Sequence, residues 1–327
     1  MTRTLTKTTL ALALLLAVGA ASASEYTVLM KAKKYTEIEK IAGAKLAQEP
    51  ANAEAMAATV EAILAAGGEA RLEEALKLAE QCVAANQASA ICHLAVGKAL
   101  GSKAMAGGMM SAMGSAGKIR DAFKKAVELD PKNLDARFSL LQFYTMAPSF
   151  MGGGASKAES LIAQTTALSP EAGKLMVAMI DTLEGRLSKA EAAAAAARPG
   201  ADEELQDRHQ DLYASIAVQH MGAKKFADAE RIARDGLRHY PDSENFPFMI
   251  ARTLQEQAKH RDALAMLEPI MAKTPRATIA YRMGQSLQAL GEKPRAIAAY
   301  EKALAYKPPL SKKLRPDAED QLKSLKG

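Results

Sequence analysis

The sequence predicts an all-α protein, built as an α-solenoid of antiparallel helix pairs. Three observations support this: the composition, a spacing of 33 or 34 residues between similar segments, and a polar C-terminal segment that reads as a cap. Hydrophobic residues make up 49% of the 327 residues, but aromatic residues only 5%, and there is no Trp. Ala, Leu, Lys and Glu favour helices, whereas strands draw on β-branched and aromatic side chains.

The first 23 residues are expected to be a signal peptide. Arg3 and Lys7 precede an apolar run from Leu10 to Ala20, and Ala21-Ser22-Ala23 follow it. A positive start, a short apolar middle and a small-x-small site are typical of secretory signals. The run is shorter than the roughly 20 residues of a membrane helix, although an uncleaved anchor is the alternative. We therefore predict a periplasmic or secreted protein whose mature chain begins near Ser24.

The charge of the chain argues against a nucleic-acid partner. Loss of the first 23 residues removes two basic residues and no acid, so the net charge falls from +6 to +4. Lys33-Lys34 and Lys312-Lys313 are short pairs and do not form a basic stripe. No later stretch is apolar enough to predict a transmembrane segment in the mature chain.

A spacing of 33 or 34 residues separates Pro241, Pro275 and Pro308, and each of these prolines closes a predicted helical run. The last repeat carries, in order, Met283, Gly284, Leu287, Gly291, Ala296, Tyr300 and Ala303. Small residues let two antiparallel helices approach closely, and a glycine permits the turn between them. This pattern resembles the tetratricopeptide repeat (TPR) family, although Ala280 stands where that family has Trp.

The resemblance implies about seven TPR-like units. Residues 24–200 form irregular repeats with two Gly/Met-rich insertions, and residues 201–327 form regular repeats, in one continuous solenoid. A partial opening unit near 26–48 precedes units at 53–86, 88–131, 132–170 and 171–199 and the three regular units. Residues 316–325 are predicted to be a capping helix, with Asp317 among the residues that face water.

In this family the first helix of each pair lines a groove, and the resemblance implies which residues face a ligand there. In three successive units they are Ala214, Val218 and Met221; Phe248, Arg252 and Gln255; and Tyr281, Gln285 and Gln288. Members that grip a terminal carboxylate carry Lys and Asn at two of these positions, and this chain does not. The remaining aromatic, amide and guanidinium groups suit a protein or peptide segment, and a merely solvated surface is the alternative. A non-catalytic scaffold or adaptor in the cell envelope is the expected function.

Two insertions, residues 101–117 and 147–154, interrupt the repeat spacing. Both are predicted to lie between the first and second helices of consecutive repeats, and hence side by side. Their apolar residues are Met109, Met110, Met113, Phe150 and Met151. These residues form either a lobe that seals the edge or a recognition surface. The alternative function is an accessory role in binding a non-protein ligand, an envelope glycan or copper held by thioethers.

The remaining reactive residues do not predict catalysis. Cys82 and Cys92 are either a disulfide, which an oxidising compartment allows, or two small buried residues. The five histidines lack the spacing of a zinc helix, and His220 falls at a packing position. No cofactor, no metal site and no enzymatic activity are expected.

Overall fold

The computed structural model describes residues 25–67, 69–307 and 309–327. Within these ranges it contains 17 α-helices and no strand, which confirms the all-α prediction. The predicted signal peptide, Ser24 and Pro308 lie outside the described residues. The chain divides into two compact units between Ala122 and Phe123.

The N-terminal unit contains helices that each pack on the next along the chain. They are α1 (Glu25–Lys31), α2 (Tyr35–Gln48), α3 (Ala53–Ala66), α4 (Leu72–Ala85) and α5 (Ala90–Ala106), and the unit boundary falls within α6 (Gly108–Leu129). In addition, α3 contacts α5, so the first helices of two successive pairs meet. This is the arrangement of a stack of helix pairs.

The C-terminal unit repeats the same arrangement over a longer stretch. Its helices are α7 (Leu134–Met146), α8 (Ala155–Leu168), α9 (Pro170–Leu183), α10 (Leu187–Ala196), α11 (Glu203–Gly222), α12 (Phe226–His239), α13 (Asn245–Glu256), α14 (His260–Lys273), α15 (Ala277–Ala289), α16 (Lys293–Ala305) and α17 (Arg315–Lys326). Consecutive helices pack together, and α7, α9, α11, α13 and α15 also contact one another in that order. We call these five the first-helix row. The predicted solenoid of antiparallel pairs is confirmed.

Five helix pairs share one three-residue turn, whose middle residue has a left-handed backbone. These residues are Lys33, Gly185, Lys224, Ala258 and Gly291, with φ between 56° and 77°. Only two of the five are glycine, so the sequence pattern reveals the turn at Gly291 and hides it at Lys224 and Ala258. The same turn joins α1 to α2 and α9 to α10, two pairs in the stretch where the sequence spacing is irregular.

Side-chain caps fix the starts of several first helices. Asn52, Asn133, Ser169 and Asp202 each accept a hydrogen bond from a backbone N–H in the first turn of α3, α7, α9 and α11 respectively. Such a cap satisfies a backbone donor that the helix itself leaves without a partner. These polar residues therefore set where each of these repeats begins.

The first insertion is helical, which corrects the prediction that it lies between two helices. Residues 101–117 extend α5 to 17 residues and α6 to 22 residues, and the two helices meet at Gly107. Gly108 adopts a φ of 73°, which breaks the helix there. The second insertion, residues 147–154, is a connection with a 3₁₀ turn at Ser149–Met151. Packing of the two insertions against each other stays a prediction.

The repeat signature and the cap pack largely as predicted. A β-carbon on Gly284 would lie 2.9 Å from the ring of Tyr300, and Ala296 is fully buried with Leu264 and Leu287. The capping helix α17 packs on α16, and its Leu325 contacts the same apolar cluster. Asp317 departs from the prediction, because its carboxylate accepts a hydrogen bond from the Tyr281 hydroxyl.

Candidate binding groove

A cavity of about 120 Å³ opens between α7, α9 and α11, on the first-helix row. Its lining consists of Phe138, Leu175, Met179, Thr182, Leu183, Arg208, Asp211, Leu212 and Ser215. Small-molecule sites usually occupy about 300–1,000 Å³, whereas an apolar cavity of about 150 Å³ holds a molecule the size of benzene. The volume and the apolar lining therefore suit one protruding side chain of a partner.

Arg208 is held at this cavity by an aromatic ring and by carboxylates. Its guanidinium carbon lies 4.7 Å from the centroid of the Phe138 ring, and its Nη2 donates to Asp135 Oδ1 at 2.7 Å. Glu204 Oε1 lies 3.6 Å from the same nitrogen. Burial opposes the charge, but Asp135 and Glu204 outweigh it and hold the pKa of Arg208 above its usual value.

Asp211 adds a third carboxylate near Arg208. Burial raises the pKa of Glu204 and of Asp211, while the charge of Arg208 lowers both. With Asp135, three carboxylates surround one guanidinium at this end of the row. The region can therefore accept hydrogen bonds, and it favours a neutral or cationic group next to the apolar cavity.

Sequence reasoning missed this cavity. Helix α11 has 20 residues, against 12 in α13 and 13 in α15, and its additional N-terminal turns supply Glu204 and Arg208. Both residues lie before the positions of α11 that the family resemblance predicts to face a ligand. One of those predicted positions is Val218, which is 52% exposed and follows Asp211 and Ser215 along one face of α11.

The residues predicted on α13 are only partly free for a ligand. Phe248, Arg252 and Gln255 are half-buried, at spacings that place them on one face of the helix. The Gln255 amide donates at 2.7 Å to the Arg282 carbonyl and at 2.7 Å to Ser286 Oγ. Gln255 therefore ties α13 to α15, and Phe248 and Arg252 remain as candidate contacts.

On α15 the prediction that Tyr281 faces an open groove is wrong. Tyr281 is 4% exposed, its hydroxyl donates to Asp317 Oδ2 at 2.5 Å, and Gln285 donates to that hydroxyl at 2.7 Å. Burial raises the pKa of Tyr281 to about 12, with a contribution from Asp317. The physical reason is the cap: α17 lies where the first helix of a further repeat would stand.

Gln288 is covered by the same capping helix. Its amide donates to Gln321 Oε1 at 2.8 Å, and its carbonyl oxygen accepts from the Tyr300 hydroxyl at 2.8 Å. Gln288 and Gln255 are thus equivalent residues one repeat apart: Gln255 links α13 to α15, and Gln288 links α15 to the capping helix α17. Of the three residues predicted on α15, Gln285 alone remains half-buried without a bond to α17.

The first insertion, residues 101–117, which we call the Met-rich segment, presents apolar side chains at the protein surface. Met109 is 80% exposed, Met110 84% and Met113 52%, and Phe150 of the second insertion is 79% exposed, whereas Met151 is half-buried. Met105, at the end of α5, is 77% exposed. The segment remains a candidate recognition surface.

The structure joins Cys82 and Cys92 in a disulfide that links α4 to α5. The two Cα atoms lie 5.3 Å apart, and both side chains are fully buried against Met56. The pair contributes to the apolar core of the N-terminal unit, so it is structural in character.

Two buried histidines of α11 contact neighbouring parts of the helix stack. The buried His220 contacts Glu191 Oε1 through Nε2 at 2.6 Å. His209 is 2% exposed, with Nδ1 2.7 Å from the Tyr240 hydroxyl and Nε2 2.7 Å from the Ala194 carbonyl.

Across residues 25–67, 69–307 and 309–327, no three His, Cys, Asp or Glu side chains are close enough to hold a metal ion. Nor does any helix of these ranges have the length and apolar character needed to cross a membrane.

Comparison with protein-family models finds no match, and comparison with curated proteins finds none. Several solved structures resemble the chain. Yeast Tom70 matches with a TM-score of 0.48 at 15% identity, over 82% of this chain and 52% of that one. A chain of the APC/C hetero-tetramer Cut9–Hcn1 matches with a TM-score of 0.45 at 14% identity, over 92% and 54%. A tetratricopeptide repeat protein from Parabacteroides merdae matches with a TM-score of 0.41 at 14% identity, over 92% and 96%.

The chain thus spans about half the length of the Cut9–Hcn1 chain that it matches. Because the TM-scores are below 0.5, the fold assignment rests on the helix pairs, the shared turns and the cap described above. The architecture is that of TPR-type helix pairs.

Proposed function

We propose that this protein is a non-catalytic scaffold or adaptor of the cell envelope, which binds a segment of another protein along its first-helix row. The observation that carries the proposal is the apolar cavity between α7, α9 and α11, with Arg208, Asp211 and Ser215 at its lining. An apolar pocket with a few polar groups around it can hold one anchoring side chain, and such anchors contribute much of the energy of protein interfaces.

A matched pair of substitutions on α9 tests the proposal. Leu183 lines the cavity and is 41% exposed, whereas Val177 is 42% exposed on the same helix and does not line it. Leu183→Asp places a charge in the apolar lining, where an unpaired charge is costly, and we expect it to abolish partner capture from envelope extract. Val177→Asp introduces the same charge outside the cavity and should leave capture unchanged. Equal capture by both variants would contradict the proposal.

The envelope location is part of the proposal and rests on Arg3, Lys7 and the Ala21-Ser22-Ala23 site. Intact mass of the protein isolated from its native cells should correspond to a chain that begins at or near Ser24. A cytosolic protein that keeps its first 23 residues would contradict this location and leave the binding proposal standing.

A second candidate function rests on the exposed methionines of α5 and α6. Met105, Met109, Met110 and Met113 are each at least 52% exposed, and thioethers are soft ligands that suit monovalent copper. Equilibrium dialysis with Cu(I) should then show copper bound by the native chain, and the Met109, Met110 and Met113→Ser variant should bind none. Equal copper binding by the two proteins would contradict this alternative.

A further inference from the structure

Two arginines without a carboxylate partner lie on neighbouring helices of the first-helix row. Arg252 on α13 makes no ion pair in the described part of the chain, and its Nε is buried without a hydrogen-bond partner. Arg282 on α15 donates through Nη1 only to neutral amides, at 3.2 Å to Gln285 Oε1 and at 3.5 Å to Gln255 Oε1. Its guanidinium also lies 5.8 Å from the centroid of the Tyr281 ring.

The two positive charges are close enough to disfavour each other. Burial lowers the pKa of Arg282, and the charge of Arg252 lowers it further. Glu256 and Asp317 act in the opposite direction. Asp317, however, is engaged by the Tyr281 hydroxyl, and Glu256 is exposed. These two carboxylates compensate only in part, because the pKa of Arg282 stays below its usual value, and an external anion would relieve the remaining repulsion.

The site contrasts with the other end of the row. Around the cavity, Asp135, Glu204 and Asp211 outnumber Arg208, so negative charge prevails there. The charge along the first-helix row therefore changes from negative near α11 to positive at Arg252 on α13 and Arg282 on α15. A segment bound along it would be oriented by the order of its own charges.

We propose that Arg252 and Arg282 form a subsite for a carboxylate of the bound protein segment. The inference rests on the proposed function and adds the chemistry of the ligand. Guanidinium groups match a carboxylate with two parallel hydrogen bonds, and Gln285 supplies an amide beside them. An acidic peptide fits better than a nucleic acid, because no basic stripe extends from the pair as a phosphate backbone would require.

Peptide selection on the full mature chain tests the subsite. One library of random twelve-residue peptides has free C-termini, and a second has its peptides embedded between fixed flanking residues. We expect Asp or Glu to be enriched at one position on the wild-type protein. Enrichment in both libraries identifies a side-chain carboxylate, and enrichment only with free C-termini identifies a terminal carboxylate.

The affinity of a selected peptide is then compared among variants. Arg252→Gln with Arg282→Gln should weaken binding at least about tenfold, because charge-assisted hydrogen bonds are among the stronger contacts of an interface. Arg252→Gln alone, which removes no hydrogen bond of the folded chain, should weaken it in the same direction. Arg295→Gln on α16 removes an exposed, ion-paired charge and should have no effect.

The outcomes separate the two proposals. Peptides that bind through the cavity without acidic enrichment, or that bind the double variant as tightly as the wild type, would overturn the carboxylate subsite and leave the binding function intact. A chain that retains no peptide from either library would overturn both.

Discussion

Gly236 offers a sharp test of how the repeats pack, because its hydrogen faces an aromatic ring. A β-carbon at this position would lie 2.4 Å from Cε1 and Cζ of Phe246 and 2.9 Å from Cδ1. Carbon atoms normally approach to about 3.5–4.0 Å, so the ring would have to move by roughly 1 Å. Phe246 is fully buried, and its ring stacks on Tyr240 with centroids 6.5 Å apart, which leaves it little room.

The magnitude follows from two opposing effects of Gly236→Ala. Overpacking a core costs about 1–3 kcal/mol, whereas replacing a helical glycine by alanine gains about 0.5–1 kcal/mol. We therefore expect a net loss of about 1–2 kcal/mol in the free energy of unfolding. Gly222, at the end of α11, has no atom within 4 Å of a β-carbon, so Gly222→Ala should be neutral or stabilise by up to about 1 kcal/mol.

Urea unfolding of the mature protein measures both changes, and tyrosine emission can follow the transition because Tyr240 contacts Phe246. A double-mutant cycle adds specificity, since Phe246→Leu removes the ring that the new methyl group would meet. In that background Gly236→Ala should lose most of its cost. A Gly236→Ala protein as stable as the wild type, or an unchanged cost in the Phe246→Leu background, would refute the packing account.

Three further predictions concern other parts of the chain. Burial lowers the pKa of His209 below its usual value of about 6.5, so its contribution to stability is complete above that pH and is lost as the pH falls towards the folded-state pKa. Urea unfolding from pH 7.5 to 5 should show a steeper loss for the wild type than for His209→Gln, and equal slopes would contradict this. Lys224 has a φ of 57°, which is costly for a residue with a β-carbon. Lys224→Gly should therefore raise the free energy of unfolding by about 0.5–1 kcal/mol. A decrease in the same assay would contradict the turn assignment. Intact mass with and without reductant should differ by two hydrogens if Cys82 and Cys92 are bonded, and reduction should cost at most about 3 kcal/mol, whereas two free thiols would contradict the bond.

The sequence predicted those features that depend on local patterns. Gly284, Ala296 and Tyr300 stand at spacings set by the contact between the two helices of one pair, so this pair could be predicted from the sequence. The turns at Lys224 and Ala258 could not, because residues other than glycine adopt the left-handed conformation there. The segment 101–117 was expected between two helices, but Ala, Met and Lys around its glycines sustain helices up to the break at Gly107.

The candidate site was less predictable, because it depends on contacts between distant residues. Tyr281 is covered by Asp317, 36 residues further along the chain, and nothing in the repeat pattern sets how the cap lies. Arg208 meets Asp135 across 73 residues, and it becomes part of the cavity only when α7, α9 and α11 pack together. The family resemblance marked Val218, Arg252 and Gln285, which the structure places on the first-helix row; their contact with a partner stays a prediction.

We infer that the first-helix row of the C-terminal unit contacts a protein partner. Site-specific photo-crosslinking in native cells tests this, with the photoreactive residue at one of three positions. They are Ser215 in the cavity lining, Lys189 as an exposed residue of the second helix α10, and Met110 as an exposed residue of α6. We expect a discrete protein adduct at Ser215, no adduct at Lys189, and loss of the Ser215 adduct in the Leu183→Asp variant. An adduct that forms at Met110 and never at Ser215 would place recognition in the Met-rich segment and contradict the claim.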